Sequence, residues 1–311
     1  MPKPFHLFRL PRVARARVLK YFGTVELIHI SLFSNLALQS SKSVLKKPRK
    51  LLIFIDGKFE IWLQFRRSQL IWTFIDDAEI LSENGGAFRV TKWSGWGCKV
   101  LEESYERKFG FRQIIDRFLD VFEIPVFVMT VSDFIGKFDV GTLRVLFENL
   151  KVENLRLGYL IPPSHVNLLL EPQNLKISKK LVLKSTPSTP EDLSFGMEEL
   201  QIEHSDWLEL GQLLRIRCKS VDLGFTSLTS NNWNLYLKFW KSAALTDIRE
   251  LKARSEDGWN VEKLLHGLDA REVAPNTWEI IKTTLPCKST TGTIFLRTFD
   301  IQSVFVFSVT L

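Results

Sequence analysis

At 311 residues, with 45% hydrophobic and 25% charged side chains, the chain reads as an ordinary globular protein able to bury one large core or two smaller ones. Its formal charge of +7 is uneven: residues 1–50 hold eleven Lys and Arg against Glu26 alone, whereas residues 51–311 carry 31 basic and 34 acidic side chains. Cys98, Cys218 and Cys287 lie too far apart for a metal clip or redox pair, and no apolar run approaches the roughly 18 to 20 residues that span a bilayer, so a soluble protein of the cytoplasm or nucleus is expected, without disulfides.

The segment from Phe5 to Leu45 predicts three short helices. Pro11 suits a first helical position, because its missing N–H is a donor that a helix start leaves unused. Val13, Ala14, Val18 and Phe22 then recur at helical spacing beside Leu19, while Arg12, Arg15 and Lys20 fall elsewhere. Gly23 breaks this helix and Thr24 is the expected N-cap of the next, in which Leu27, Ile28, Ile30, Ser31 and Ser34 face inward or toward a partner. A third helix is expected over Leu36 to Leu45.

This order of elements, Leu10-Pro11, Val18-Leu19, Glu26-Leu27-Ile28, Ser31 and Ser34, resembles the F-box. The resemblance implies a substrate-choosing subunit of a Skp–cullin–F-box ubiquitin ligase, with residues 5–47 docking on a Skp-like adaptor, and through it a cullin, by Leu10, Pro11, Val18, Leu19, Leu27, Ile28 and Ser31. Gly23-Thr24 and Asn35-Leu36 replace residues usual in that family, departures that bear on adaptor affinity. The basic N-terminus suits steering toward an acidic protein surface, since complementary charge raises association rate more than affinity. Nucleic acid is the lesser reading.

Residues 48–110 predict a β-rich region. Leu51–Ile55 and Lys58–Phe65 flank Asp56-Gly57, a dipeptide suited to a two-residue hairpin turn, and Phe59, Ile61, Leu63 and Phe65 alternate with Lys58, Glu60, Trp62 and Gln64. Leu70, Trp72 and Phe74 repeat the alternation, and the glycines around Trp93 and Trp96 mark a loop that exposes this pair.

Residues 111–311 predict an irregular leucine-rich-repeat-like α/β region. A helix over FRQIIDRFLDVF and a strand in PVFVMTV are followed by strands in VENLRLG, NLKIS, MEELQIEH, KSVDLGF and IRELKAR. Their central residues, Val128, Leu155, Leu175, Leu200, Val221 and Leu251, are spaced 27, 20, 25, 21 and 30 apart, close to the roughly 20 to 29 residues of leucine-rich repeats. Stacked repeats of this kind leave one curved sheet face open. Within Leu210–Leu251, Leu228-Thr229, Trp233, Leu235, Leu237-Lys238 and Trp240 resemble the type 2 F-box-associated domain of the nematode-expanded F-box family, best over about 180–251. Thr277–Leu311 looks like that family's closing strands, with Gly292 in a turn.

The fold class expected is therefore mixed α+β, with an unidentified target protein held beside the strand centres by Gln201, Glu203, Asp222, Arg249 and Lys252. His204-Ser205-Asp206 cannot form a triad, because adjacent residues point to different faces. No catalytic residue, metal site, cofactor or membrane contact is expected. The alternatives are a basic nucleic-acid-binding protein and a non-ligase interaction scaffold.

Overall fold

The computed structural model describes residues 7–74, 86–94, 99–107, 110–171, 173–184, 196–242, 248–284, 288–299 and 302–310. The chain divides into two compact units, residues 1–130 with 141–148, and residues 131–140 with 149–311. Among the described residues no helix is long and apolar enough to cross a membrane.

In the first unit, helices α1 (Arg12–Leu19), α2 (Thr24–Ser31) and α3 (Asn35–Lys42) precede strands β1 (Lys50–Ile55), β2 (Phe59–Gln64), β3 (Ser68–Phe74), β4 (Gly86–Ser94) and β5 (Lys99–Arg107), then helix α4 (Phe111–Phe122) and strand β6 (Val126–Val131). Strands β1 to β5 form an antiparallel meander, with β6 beside β1. The three helices stand where the spacing puts them, with shifted ends. Pro11 precedes α1 as its N-cap, Gly23 and not Thr24 is the N-cap of α2, and Ser34 caps α3 by accepting from the Ala37 N–H at 3.1 Å. Only Leu19 of α1 is fully buried; Val13 is 69% exposed and Phe22 39% exposed, so the apolar face predicted for this helix is mostly outside.

The alternation of β2 holds for Phe59, Ile61 and Leu63, which are buried. With Trp72 and Phe74 they pack on α4, whose Phe111, Ile114, Ile115, Phe118 and Phe122 make the facing stripe: Phe111 meets Phe59 and Phe74 at 5.0 and 4.9 Å, and Phe118 meets Trp72 at 4.9 Å, ring centre to ring centre. Helix α4 therefore belongs to the sheet before it and not to the repeats after it. Trp62 lies on the opposite face, half-buried against Phe54, where its indole N–H donates to the buried Glu60 carboxylate at 2.9 Å. The hairpin turn is longer than two residues: pairing stops at Ile55–Phe59, and Gly57, with φ 70°, supplies the left-handed residue of a loop that includes Lys58. Trp93 is a half-buried residue of β4, opposite Gln69; Trp96 lies outside the described residues. In β6 the buried side chains are Val126, Met129 and Val131, and Val128 is half-buried. Helix α5 (Val140–Phe147) closes on Arg112 of α4, whose Nη1 donates to the carbonyls of Leu146 and Glu148 at 3.0 and 2.7 Å and so satisfies groups that a helix C-terminus leaves open.

The second unit holds strands β7 (Leu150–Leu157), β8 (Leu175–Leu183), β9 (Glu199–Ile202), β10 (Ser220–Phe225) and β11 (Glu250–Ser255) as parallel neighbours, with helices α6 (Pro163–Leu170), α7 (Leu210–Leu213) and α8 (Ser230–Lys241) in the connections. After α9 (Val261–Leu265) come β12 (Arg271–Ala274), β13 (Thr277–Thr284), β14 (Lys288–Phe299) and β15 (Gln302–Thr310), which add antiparallel in the order β11-β15-β14-β13-β12. Leu155, Leu181, Leu200, Val221, Leu251 and Phe307 form one paired and buried ladder across this sheet. Leu175, the centre expected from spacing, pairs instead with Leu150, because β8 is longer than one repeat strand needs.

Helix α8 is fixed as its sequence suggests. Thr229 accepts from the Asn232 N–H, while Asn232 Oδ1 accepts from the Thr229 N–H at 2.9 Å. Its buried face packs Trp233 in a tilted contact on Phe305 at 4.8 Å and Trp240 edge-to-face on Phe307 at 5.0 Å. Gly292 is not in a turn. It lies within β14 opposite Ile280 and Val309, where an added Cβ would meet Phe307 at 2.6 Å and Trp240 at 2.9 Å, so these rings require the absence of a side chain.

Candidate functional site

Parallel strands about 4.8 Å apart with side chains alternating between faces bring residues distant in sequence into rows. Gln201 of β9, Asp222 of β10 and Lys252 of β11 are direct register partners, so three of the five side chains expected to touch a target stand in one row. The row continues through Val182 and Arg156 on one side and Val306 and Phe295 on the other. None of these seven is buried, whereas Leu200, Val221 and Leu251, one residue earlier on each central strand, are. The alternation thus separates a core face that the helices cover from an open face of mixed charge. A second row, Asn154, Lys180, Glu199, Ser220, Glu250 and Ser308, lies beside the first and is tied by ion pairs, Lys180 to Glu199 at 3.3 Å and Glu250 to Lys252 at 3.0 Å.

Glu203 lies just past β9. Its carboxylate accepts from the Tyr159 hydroxyl and pairs with Lys184 Nζ at 3.1 Å, and that ammonium sits 4.6 Å over the Tyr159 ring. The Tyr159 hydrogen bond, seconded by Lys184, holds the Glu203 carboxyl below its usual range, and the same bond pushes the Tyr159 phenol up. What brings Glu203 here is Gly224. With φ 53°, it lets β10 approach so closely that a Cβ would lie 2.2 Å from the Glu203 carbonyl oxygen and 2.7 Å from that of Ile202. Gly224 N–H also donates to Asp222 Oδ1 at 3.0 Å, which orients the central carboxylate of the row.

Arg249 does not join the row. It is exposed, precedes β11, and stands two residues from the buried Leu251, an even step that belongs to the other face. Sequence reasoning missed Arg156, Val182, Phe295 and Val306, since their nearness to Gln201 and Lys252 arises only from strand pairing.

Of the residues expected to meet an adaptor, Leu19, Leu27, Ile28 and Ser31 are buried within the first unit, Leu10 and Val18 are half-buried, and Pro11 is exposed. Ser31 Oγ donates to the Ile28 carbonyl at 2.6 Å. The apolar surface that these helices show to solvent comes from other residues: Tyr21 is 91% exposed, Phe33 69% and Leu36 48%, alongside Val13 and Phe22. The turns after α1 and α2 carry Tyr21 and Phe33, because each chain end there closes on i–3 bonds, Tyr21 N–H to Val18 and Phe33 N–H to Ile30.

The His204-Ser205-Asp206 segment is structural. Ser205 is buried with its hydroxyl donating to the Phe225 carbonyl at 2.9 Å, and the His204 ring stacks on Phe225. His165 is held by the Phe138 carbonyl, 2.8 Å from Nε2. Cys218 is buried, and that burial pushes its thiol up to about 12. Cys98, Cys287 and His6 lie outside the described residues.

Residues 188–252 match the family described as F-box associated (FBA_2), a span that holds β9, β10 and α8 and reaches Lys252 in β11. The chain is also 25% identical over 296 residues to a Caenorhabditis elegans protein described as "Uncharacterized protein F59B2.8". That likeness covers 82% of this chain and 64% of the relative, so the chain spans less than two thirds of the relative's length. No solved structure matches. The chain thus carries an F-box-associated segment, and this segment supplies Gln201, Glu203, Gly224, Asp222 and Lys252 of the open face.

Proposed function

We propose that the protein is the target-recognising, non-catalytic subunit of a Skp–cullin–F-box ubiquitin ligase acting in the cytoplasm or nucleus. The N-terminal helices dock on a Skp-like adaptor and through it on a cullin, and the open sheet face of the second unit holds the target protein; bond-forming chemistry belongs to other subunits. One observation carries this reading: the F-box-associated match falls on the strands that place Gln201, Asp222 and Lys252 in a single open row. It is supported by the three short helices at the N-terminus, by Tyr21, Phe33 and Leu36 as exposed apolar anchors, and by the basicity of residues 1–50, which favours encounter with an acidic adaptor.

The test is direct binding of the purified full chain to a Skp-family adaptor, followed by proximity labelling in cells. A defined one-to-one complex is expected, together with labelled targets that disappear when Asp222→Lys and Lys252→Asp are introduced at the row while adaptor binding persists. Absence of any adaptor complex at roughly ten micromolar, weaker than about −7 kcal/mol, would overturn the assignment.

A further inference from the structure

A cleft of about 250 Å3 lies in the first unit, lined by Arg12, Arg15 and Ala16 of α1, by Gln39 and Ser40 of α3 and by Ser43 just after it. Among the described residues its cations have no ion-pair partner. Glu26 is the one acidic residue among residues 1–50, and Glu123, at the end of α4, is engaged by Lys42 at 2.5 Å and Lys47 at 3.7 Å. Neither Arg12 nor Arg15 pairs with a carboxylate among the described residues. Arg15 is also held in place, since its Nη1 donates to the Phe8 carbonyl at 3.2 Å. Both serine hydroxyls are committed as donors, Ser40 Oγ to the Leu36 carbonyl at 2.6 Å and Ser43 Oγ to the Ser40 carbonyl at 2.7 Å. What the cleft offers a ligand is therefore the N–H groups of Arg12, those left on Arg15, and the Gln39 amide.

We propose that this cleft between α1 and α3 binds a phosphate monoester dianion. Two like charges lining one open recess repel each other, and an anion bound in that recess turns the cost into attraction. A planar carboxylate is satisfied by the fork of a single guanidinium. The three terminal oxygens of a monoester radiate in different directions and carry nearly two charges, which matches two guanidinium groups and an amide on opposing helices. A phosphodiester, as in nucleic acid, has one charge and two free oxygens, and uses less of the site. The same monoester chemistry is found in inorganic phosphate, in small phosphorylated metabolites and in a phosphorylated Ser or Thr of a protein. The assignment shares Arg12 and Arg15 with the basicity invoked for adaptor encounter, but it uses neither the exposed anchors Tyr21, Phe33 and Leu36 nor the open sheet face, so phosphate titration of the free chain tests it apart from the ligase reading.

Calorimetric titration of the full chain at about 0.15 M salt, where long-range charge effects are screened, tests it. Inorganic phosphate and phosphoserine are expected to bind at one saturable site, with acetate and dimethyl phosphate at least about tenfold weaker. A phosphoserine-containing peptide binding more tightly than both free phosphoserine and inorganic phosphate identifies a protein-borne group as the natural source, free phosphoserine binding as tightly as the peptide and more tightly than inorganic phosphate identifies a small monoester, and equal binding of all three identifies the free anion. Arg12→Gln and Arg15→Gln should each lower phosphate affinity about tenfold, the loss of one charge-assisted contact, while Arg217→Gln removes the same charge from an exposed position of the second unit, outside the cleft lining, without effect. Arg12 makes no hydrogen bond to the fold among those described, so Arg12→Gln separates binding from folding, and matched thermal melts check it. No saturation by phosphate below about 10 mM, equal binding of acetate or dimethyl phosphate, or an equal loss in Arg217→Gln would each overturn the proposal.

Discussion

The burial of Leu19 and the exposure of Tyr21 separate two kinds of substitution in the N-terminal helices. Leu19 has no accessible surface and Leu27 has 4%, so Leu19→Ala and Leu27→Ala each delete a packed side chain at a cost of about 2 to 5 kcal/mol. Together they remove about 4 to 10 kcal/mol, comparable with the whole stability of a domain, about 5 to 15 kcal/mol. The double variant should therefore lose adaptor binding because the helices unfold. Tyr21→Ser with Phe33→Ser, by contrast, changes residues that are 91% and 69% exposed and should leave stability within about 0.5 kcal/mol for each. If these are docking anchors, the same pair should weaken adaptor binding by more than about 2 kcal/mol, roughly 30-fold. Urea unfolding followed by far-UV circular dichroism, run beside adaptor calorimetry, gives both numbers. An unchanged unfolding midpoint for Leu19→Ala with Leu27→Ala, coupled to lost binding, would refute the packing argument and return those leucines to the interface. Undiminished binding by Tyr21→Ser with Phe33→Ser would move the docking surface elsewhere.

Three further outcomes follow from the second unit. Gly224→Ala should destabilise by more than about 2 kcal/mol, since the new Cβ meets two backbone carbonyls at a positive φ, and denaturant midpoints should show a smaller effect for Gly211→Ala, where a Cβ meets nothing. Cys218, with its thiol at about 12, should resist alkylation at pH 8 in the native protein and react once denaturant is added, as peptide-level mass spectrometry would record; labelling at equal rates would contradict its burial. The Glu203 carboxyl is lowered in the folded state, so its contribution is fully present above the pKa of the unfolded carboxyl and is lost as pH falls through the lowered folded value. Tyr159→Phe should raise the Glu203 midpoint toward the usual range in a carboxyl NMR titration, and an unmoved midpoint would show that Lys184 alone sets it.

What could be read from the sequence was local. Helix α4 declares itself by Phe111, Ile114, Ile115, Phe118 and Phe122, and α8 by Thr229 followed by Trp233, Leu237 and Trp240, because capping and the 3.6-residue period are properties of a few neighbouring residues. Of the eight-residue helices, α2 buries Leu27, Ile28 and Ser31 as its spacing predicts, whereas α1 buries Leu19 alone, and a two-turn helix with one buried side chain does not fix a stripe. Gly292 reads as a turn glycine because nothing nearby in sequence announces Phe307 and Trp240, the rings that require it.

The open row marks the boundary between the two kinds of information. Once Leu200, Val221 and Leu251 are known to be buried strand centres, alternation alone decides which neighbours share the other face. An odd step from a centre reaches the open side, as at Gln201, Glu203, Asp222 and Lys252, while an even step, as at Arg249, does not. The choice of face therefore needs no knowledge of the partner strands. Which residues on that face stand side by side does need it: Val306 and Phe295 flank Lys252 only because the C-terminal strands return antiparallel beside β11 and lay an apolar strip along the charged row. Under the proposed function, a target segment lying across the strands would cross from Asp222 and Lys252 directly onto Val306 and Phe295, so specificity would depend on charge and apolar contact together, with the apolar part supplied by residues outside the F-box-associated match.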